Sequence, residues 1–312
     1  MKAVSLGRFR VVIPEEDGGR EALEAALPRR NSLRRAGDEA RMAVAAAAMA
    51  LSGEGQAVTE RTGIYVGQQQ GSLEGTAGFL EASHRDGPRL ASPALFAESV
   101  ANSTATHLSL TFGVRGSVQT FIGSRAAGIQ AVAAAAEDLE EGVTDAALVV
   151  VVGVSSTLTR HAYESLHFPF ARDRRPSTLA GRNGAAAFVA RRGEGPATLR
   201  YANARCSGRG RRAVVAVRSL WEDSGAVAPR VLASVFSLAR PSALSVLREG
   251  LGEGTELDPG PEDRGESFAL DPFLLLARDA GRSPGPRLRA VACLGEEGTA
   301  GLLVVEGDPR GA

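Results

Sequence analysis

The feature that most constrains the fold is a strand, helix and strand succession between residues 116 and 153. A strand-like run ends at a tight corner at residues 123–125, and residues 126–141 carry apolar side chains at the three-and-four spacing of a helix face. The run 145–153 is apolar without alternation, which is typical of a strand buried on both faces. Such a βαβ unit brings two strands together in parallel, so the sequence predicts a layered α/β fold.

The rest of the chain continues the alternation of helices and strands. At 312 residues it exceeds the ~250–300 at which one core usually stops growing, so we predict two packed halves. The Gly-Pro break near residue 195 favours a division into 1–193 and 194–312. Glycine-rich residues 67–78 and acidic residues 253–264 are predicted to be loops. Helices are predicted at 37–51, 93–110, 211–221, 242–249 and 268–278, and further strands at 62–67, 185–190, 231–236, 288–294 and 301–306.

Charge and cysteine content exclude several classes of function. The 36 acidic residues balance 36 basic ones, so no field of one sign favours nucleic acid or an anionic membrane. No apolar run approaches the ~20 residues of a membrane span, and residues 1–10 lack the pattern of a secretion signal. The two cysteines, Cys206 and Cys293, do not make a disulfide framework, so the cytoplasm is the expected compartment.

Several motifs between residues 92 and 190 occur in the order typical of one enzyme family. They read SPALFAESVAN at 92–102, FGVRG at 112–116, GIQA at 128–131, GVTDAALVVVVG at 142–153, PFARDR at 169–174 and NG at 183–184. The chain thereby resembles the β-ketoacyl synthases of the thiolase fold, and more closely their degenerate partner subunits, the chain-length factors of type II polyketide systems. The resemblance implies a five-layered α-β-α-β-α architecture with two pseudo-repeated halves, the second shortened.

The catalytic residues of that family are missing from the matching positions. Counting back from Gly128 puts Arg125 where the family has its nucleophilic cysteine, and a guanidinium cannot attack a thioester. The family's two histidines would correspond to Phe236 and Glu266. The charge of Arg125 is also disfavoured at a helix N-terminus, so we expect its side chain to point away or to meet an acid.

Ser124 leaves a second interpretation open. Its hydroxyl stands near the helix start, where serine is more often an N-cap than a nucleophile, and no histidine is evident as a base. A repurposed acyltransferase or hydrolase, with Glu266 or an outlying histidine as base, remains the alternative. His161 and His167 flank Tyr163, but no further ligand completes a metal site, so we favour a surface loop there.

By the resemblance, the chain is a subunit without independent activity that pairs with an active ketosynthase. The strand before the corner would form the dimer interface through Val118, Thr120 and Phe121, and its exposed edge would be covered by the partner. Phe96, Val100 and Ser103 would limit the acyl tunnel, since displacing packed side chains costs ~1–3 kcal/mol. An acyl carrier protein would meet the complex, with no cofactor and no metal implied. A homodimeric scaffold is a third possibility.

Overall fold

The computed structural model describes residues 3–28, 31–34, 36–53, 58–165, 181–193, 195–206, 208–228, 230–235, 240–260, 266–282, 287–295 and 297–310. The strands within these ranges are β1 Val4–Leu6, β2 Arg10–Val12, β3 Thr62–Gln68, β4 Val118–Ile122, β5 Ala146–Gly153, β6 Gly184–Arg192, β7 Ala197–Cys206, β8 Arg230–Val235, β9 Glu256–Asp258, β10 Leu288–Leu294 and β11 Thr299–Gly307. The α-helices are α1 Gly19–Ala26, α2 Asp38–Gly53, α3 Leu73–Asp86, α4 Pro93–Ser99, α5 Ser103–Phe112, α6 Ala127–Glu141, α7 Thr157–Ser165, α8 Arg211–Ser224, α9 Arg240–Leu251 and α10 Asp271–Arg282. None of these helices is long and apolar enough to cross a membrane.

The strand order of the first half is repeated in the second. The first half runs β4-β3-β5-β6-β2 across the sheet and the second runs β9-β8-β10-β11-β7. In each half the first three strands are mutually parallel and the last two are antiparallel to their neighbours. Strand β1 pairs with both β6 and β7 and joins the halves into one sheet of eleven strands. The predicted pseudo-repeat is therefore confirmed, while the division at 193/194 stays a prediction.

Helices α6 and α10 form a middle layer between the two sets of strands. On β5, Val149 and Val151 pack with these two helices, whereas Leu148 and Val150 on the opposite face pack with α2 and α5. Strand β10 divides in the same way, because Val291 joins the middle core and its neighbours pack with α8 and α9. These alternating faces give five layers, α-β-α-β-α, as predicted. Within the described residues α1–α7 belong to the first half and α8–α10 to the second, in line with its predicted shortening.

Several predicted elements differ from the structure. The helix predicted at 93–110 is two helices, α4 and α5, because Val100 takes an extended conformation and its carbonyl accepts the backbone N–H of Ser103 at 3.0 Å. The loop predicted at 67–78 contains the start of α3, and the loop at 253–264 contains β9. Strand β7 went unpredicted because its outer residues are polar and partly exposed. Strands β1 and β2 have only three residues each, too few for a periodic signal.

Candidate functional site

The corner between β4 and α6 turns residue 125 into the middle layer. Gly123 has φ +99°, a conformation that favours glycine, and its N–H donates to the carbonyl of Gln69 at 3.0 Å. Two residues later the side chain of Arg125 is completely buried. The tight turn at Gly123 thus places a cation at the N-terminal end of α6, facing the second half of the chain.

Acidic side chains of the second half meet Arg125. Its Nη2 donates to Glu266 Oε1 at 2.5 Å, and its Nη1 lies 3.5 Å from Asp271 Oδ2 at the start of α10. Ser234 on β8 donates to the same Asp271 oxygen at 2.7 Å. Glu266 and Asp271 are themselves almost fully buried. The expectation that Arg125 would meet an acid is confirmed, and the cluster ties the corner of the first half to β8 and α10.

The backbone around Glu266 is bent to hold this cluster. Phe268 has φ +51°, the only positive φ of a non-glycine residue in the described part of the chain. Its N–H donates to Glu266 Oε1 at 2.9 Å, and its carbonyl lies 3.5 Å from Arg125 Nη1. A bulky residue in this conformation costs about 1–3 kcal/mol, so the surrounding packing must compensate for it. The stacking of Phe268 on Tyr163, with ring centroids 5.8 Å apart, offsets part of this backbone strain.

Burial dominates the ionisation of the cluster. The pKa of Glu266 is raised above its usual range, first because the carboxyl is buried and then because Asp271 is close, although Arg125 acts in the opposite direction. Two carboxyls face one guanidinium here, so a proton retained on Glu266 reduces the charge that must be buried. The arrangement can hold charge and a proton, but the described residues place no thiolate or imidazole at the corner.

A cysteine also faces this middle layer, but it is not poised to react. The Sγ atom of Cys293 on β10 lies on the side of the strand that faces Gly301, Ala126 and Ile129. Burial raises the pKa of this thiol to about 12, so it remains protonated at neutral pH. Cys293 therefore does not replace the missing nucleophile.

The prediction that Ser124 caps α6 was wrong. The helix begins at Ala127 with Ala126 as its N-cap, and no side chain caps it. The backbone carbonyl of Ser124 accepts the N–H of Ala127 at 3.1 Å, whereas its buried hydroxyl has no hydrogen-bond partner among the described residues. Within that part of the chain the hydroxyl thus has no base to activate it.

Some of the other predicted positions are outside the described residues, and one is exposed. Phe236, His167 and residues 169–174 fall outside the described residues. His161 is exposed on helix α7 rather than in the predicted loop. In the described part of the chain no group of three or more His, Cys, Asp or Glu side chains is arranged to hold a metal ion. Ser234 and Asp271 were missed by sequence reasoning, although a lone serine in the apolar run of β8 and an acid at a helix start were visible signals.

The predicted interface residues lie on an edge strand. Strand β4 stands at the end of the sheet and pairs only with β3 among the described strands. Val118 is 45% exposed, while Thr120 and Phe121 are partly buried and Phe121 packs against the middle core. Ile122, at the end of β4, is also exposed. An apolar strand edge is thus open along β4 in the chain taken alone.

The predicted tunnel residues lie beside this edge. Gln68 Nε2 donates to the carbonyl of Ala101 at 3.0 Å, which ties the end of β3 to the junction of α4 and α5. Phe96 is exposed and packs edge-on against Phe79 with centroids 5.5 Å apart. Val100 is partly buried at the end of α4. Ser103 turns inward, because its hydroxyl lies 2.6 Å from that of Ser72.

Comparison with known proteins agrees with this architecture. The family described as the β-ketoacyl synthase N-terminal domain matches residues 19–199, more than half of the chain. The chain belongs to the β-ketoacyl synthase family. None of the curated proteins matches it. The matched range includes β4, Gly123, Arg125 and α6.

Solved structures of ketosynthases share the fold across nearly the whole chain. The ishigamide ketosynthase/chain length factor superposes with a TM-score of 0.74 at 17% identity, covering 98% of this chain and 99% of that one. The type II polyketide synthase complex AntDE:AntF, a carrier protein with its ketosynthase bound to the hexaketide, gives 0.71 at 16% identity, covering 98% and 100%. The ketosynthase ApeO with its chain length factor ApeC, from Xenorhabdus doucetiae, gives 0.70 at 13%, covering 98% and 98%. The predicted thiolase-like fold is confirmed.

Proposed function

We propose that this chain is a non-catalytic ketosynthase-like subunit of the chain-length-factor type. It acts in the cytoplasm, pairs with an active β-ketoacyl synthase and shapes the acyl tunnel of that partner. The observation that carries the proposal is the 2.5 Å contact between Arg125 and Glu266, the two residues that the sequence resemblance assigns to the family's cysteine and histidine positions. A site in which these two side chains are paired with each other cannot accept an acyl group or stabilise an oxyanion.

The open edge of β4 supports a partner of the same fold. An exposed, apolar edge strand tends to pair with another chain, and Val118 and Ile122 leave apolar surface along it. Two of the similar structures are complexes of a ketosynthase with a chain length factor, and a third includes an acyl carrier protein. A heterodimer across β4, visited by a carrier protein, fits these observations.

The positions of Phe96 and Val100 support a steric role. Phe96 lies on α4 and Val100 directly follows this helix, next to Ala101, whose carbonyl accepts from Gln68 at the end of β3, and Phe96 is 55% exposed in the chain alone. Once a partner covers this surface, a ring held against Phe79 would end its tunnel. Ser103 contributes differently, by holding the start of α5 to Ser72 through its hydroxyl. We therefore assign the chain-length limit to Phe96 and Val100.

Co-expression with the ketosynthase encoded beside it tests the assembly. We expect a one-to-one complex by size-exclusion chromatography with mass determination, and polyketide synthesis only when both chains are present. Replacing Val118 with aspartate should abolish the complex, because it buries a charge in the strand interface. Val215→Asp is the matched control, since Val215 is 63% exposed on α8 in the outer layer of the other half. It should leave the complex intact.

Other outcomes would contradict the heterodimer, the position of its interface or the role of Phe96. A stable homodimer that ignores the ketosynthase would contradict the proposal and favour a scaffold. Loss of the complex with Val215→Asp but not with Val118→Asp would move the interface to α8. If the complex forms, Phe96→Ala should yield longer products by mass spectrometry, and unchanged products would remove the assigned role of Phe96. A covalent phosphonate adduct on Ser124 would instead favour an acyltransferase or hydrolase.

A further inference from the structure

The short helix α4, which carries Phe96, ends without a continuation that could satisfy its last carbonyls. The final carbonyls of any α-helix have no partner amide within that helix, and α4 has only seven residues. Val100 follows it in an extended conformation, with φ −80° and ψ 147°, so the helix does not run on into α5. Groups outside α4 must therefore bond the carbonyls at this end.

One neighbouring segment supplies these partners from its side chains. Three consecutive carbonyls, at residues 99–101, each accept a hydrogen bond from the segment 68–76. The pairs are Thr76 with Ser99 at 2.8 Å, Ser72 with Val100 at 3.1 Å and Gln68 with Ala101 at 3.0 Å. The three donor side chains together form the α4 clamp.

The α4 clamp is itself anchored in the first half of the chain. Gln68 is the last residue of β3 and is only 3% exposed, Ser72 directly precedes α3, and Thr76 lies near the start of that helix. The hydroxyl of Thr76 is also 2.9 Å from the carbonyl of Ser72, so its single proton is shared between that oxygen and the carbonyl of Ser99. Since the proton of Ser72 goes to the carbonyl of residue 100, the 2.6 Å contact with Ser103 is a donation from Ser103. The donors are thus held in place by β3, α3 and α5.

Further contacts hold the rest of α4 against α3 and α5. Glu98 Oε1 lies 2.8 Å from Nε2 of His107 on α5, and the ring of Phe96 packs edge-on against Phe79 on α3. At Gly75 the two helices approach so closely that an added Cβ atom would lie 2.4 Å from the carbonyl oxygen of Glu98. The position of Phe96 therefore depends on α3 and α5 as well as on its own helix.

The local sequence favours a different conformation that the α4 clamp prevents. The pattern of residues 93–110 predicts one continuous helix, in which the carbonyls at 99–101 would accept backbone amides four residues further along. In the structure the N–H of Ser103 bonds instead to the carbonyl of Val100, three residues back, at 3.0 Å. Side-chain donors to all three carbonyls replace the bonds that the continuous helix would make, so they stabilise the break between α4 and α5.

We propose that the α4 clamp determines product length indirectly, by fixing where Phe96 and Val100 stand at the end of the partner's acyl tunnel. Gln68, Ser72 and Thr76 are positioning residues, because their side chains bond the backbone of residues 99–101 and not the acyl chain. The inference rests on the proposed chain-length function. Weakening the clamp lets α4 shift away from the growing chain, so the product distribution becomes broader and extends to longer chains.

Thr76→Val tests the clamp in the complex with the ketosynthase, because it removes the hydroxyl and keeps the shape of the side chain. Loss of one hydrogen bond changes an equilibrium between two conformations by about 2- to 12-fold, so the share of products longer than the native one should rise by a factor in that range. Thr76→Ser keeps the hydroxyl and should restore the native distribution. Thr106→Val is the matched control, since the exposed Thr106 donates to the carbonyl of Asn102 at the start of its own helix. It should leave product length unchanged.

Hydrogen exchange and a second variant make the test independent of one substitution. Peptides covering residues 96–100 should exchange faster in Thr76→Val than in the native complex, and at the native rate in Thr106→Val. Ser72→Ala removes the donor to Val100 and should also lengthen the products. It serves as the test if the Thr76→Val chain does not assemble with the ketosynthase.

Mass spectrometry of the products separates failure of the clamp from failure of the chain-length function. Native product lengths with Thr76→Val and Ser72→Ala, together with longer products from Phe96→Ala, would overturn the role of the clamp and leave the chain-length function intact. Native lengths with all three variants would overturn the chain-length function and the clamp with it. A fall in total product without any change in length would show that the clamp only stabilises the fold, which also contradicts the proposal.

Discussion

Replacing Arg125 with methionine removes the guanidinium from the buried cluster while keeping a long side chain. Glu266 and Asp271 then face each other in the middle layer without the cation that lies 2.5 Å from one and 3.5 Å from the other. One further carboxyl must become neutral, because an uncompensated buried charge costs more than protonation does. The expected result is a less stable protein whose deficit depends on pH.

The magnitude follows from the cost of protonation. A glutamate with an unfolded-state pKa of about 4.3 costs about 1.4 kcal/mol per pH unit to hold protonated above that value. The deficit is therefore about 4 kcal/mol at pH 7 and about 1 kcal/mol at pH 5. With an unfolding entropy of about 2.1 cal/mol/K per residue over 312 residues, the larger value lowers Tm by about 6 °C.

The sign is fixed by the direction of the pKa shift. Burial already raises the pKa of Glu266 in the native protein, and removal of Arg125 takes away the influence that lowers it. A carboxyl whose pKa is raised in the folded state contributes to stability at low pH, and this contribution is lost as the pH rises through its folded-state pKa. Denaturant unfolding at pH 5 and pH 7, monitored by circular dichroism, measures both ends of this window.

Arg205→Met is the matched control, because Arg205 pairs with Asp223 at the same 2.5 Å distance but on the surface. Its loss should cost no more than ~1 kcal/mol at either pH. Adding Glu266→Gln to Arg125→Met should recover much of the stability at pH 7. An Arg125→Met protein as stable as the native one at pH 7, or a deficit that does not change with pH, would refute the reasoning.

Two further substitutions test the packing around α6. Gly128→Ala places a Cβ atom 2.5 Å from Phe273 Cε2, so the free energy of unfolding should fall by about 1–2 kcal/mol despite the better helix propensity of alanine. Gly78→Ala on α3 is the control. It should stabilise the protein slightly, because the space around Gly78 is open. Tyr65→Phe removes a 2.5 Å hydrogen bond to Asp138 and should lower the free energy of unfolding by about 1.5–3 kcal/mol. Ultraviolet titration of the native protein should give a pKa of about 12 for Tyr65, a value raised first by burial.

The layered fold was accessible from the sequence because its central elements carry strong patterns. Strand β5 is apolar throughout and α6 has a clear helical face, so both were predicted within one or two residues of their ends. The division between α4 and α5 and the strand β7 could not be predicted from the sequence. The extended residue Val100, which divides α4 from α5, has no sequence signal of its own, and β7 is half polar because one face meets solvent.

The candidate site was predictable in part. The absence of a nucleophile at Arg125 and the need for an acid nearby followed from the residue type and the helix N-terminus. The identity of the acids was harder, because Asp271 lies well over a hundred residues away and reaches Arg125 only through the pseudo-repeat that packs α10 against α6. Recognition of Ser234 required the register of β8 beside β10. Long-range pairing of this kind leaves no mark on local sequence.

The two cysteines have different consequences for labelling the protein. Cys206 is exposed at the end of β7, whereas Cys293 is sealed in the middle layer. A thiol reagent should modify Cys206 promptly and reach Cys293 only when β10 and the adjoining helices separate. The rate of the slow phase in a labelling time course thus reports how often the middle layer opens, in the native chain and without any engineered probe. Docking of another chain should slow the labelling of Cys293 if it restrains the same layers.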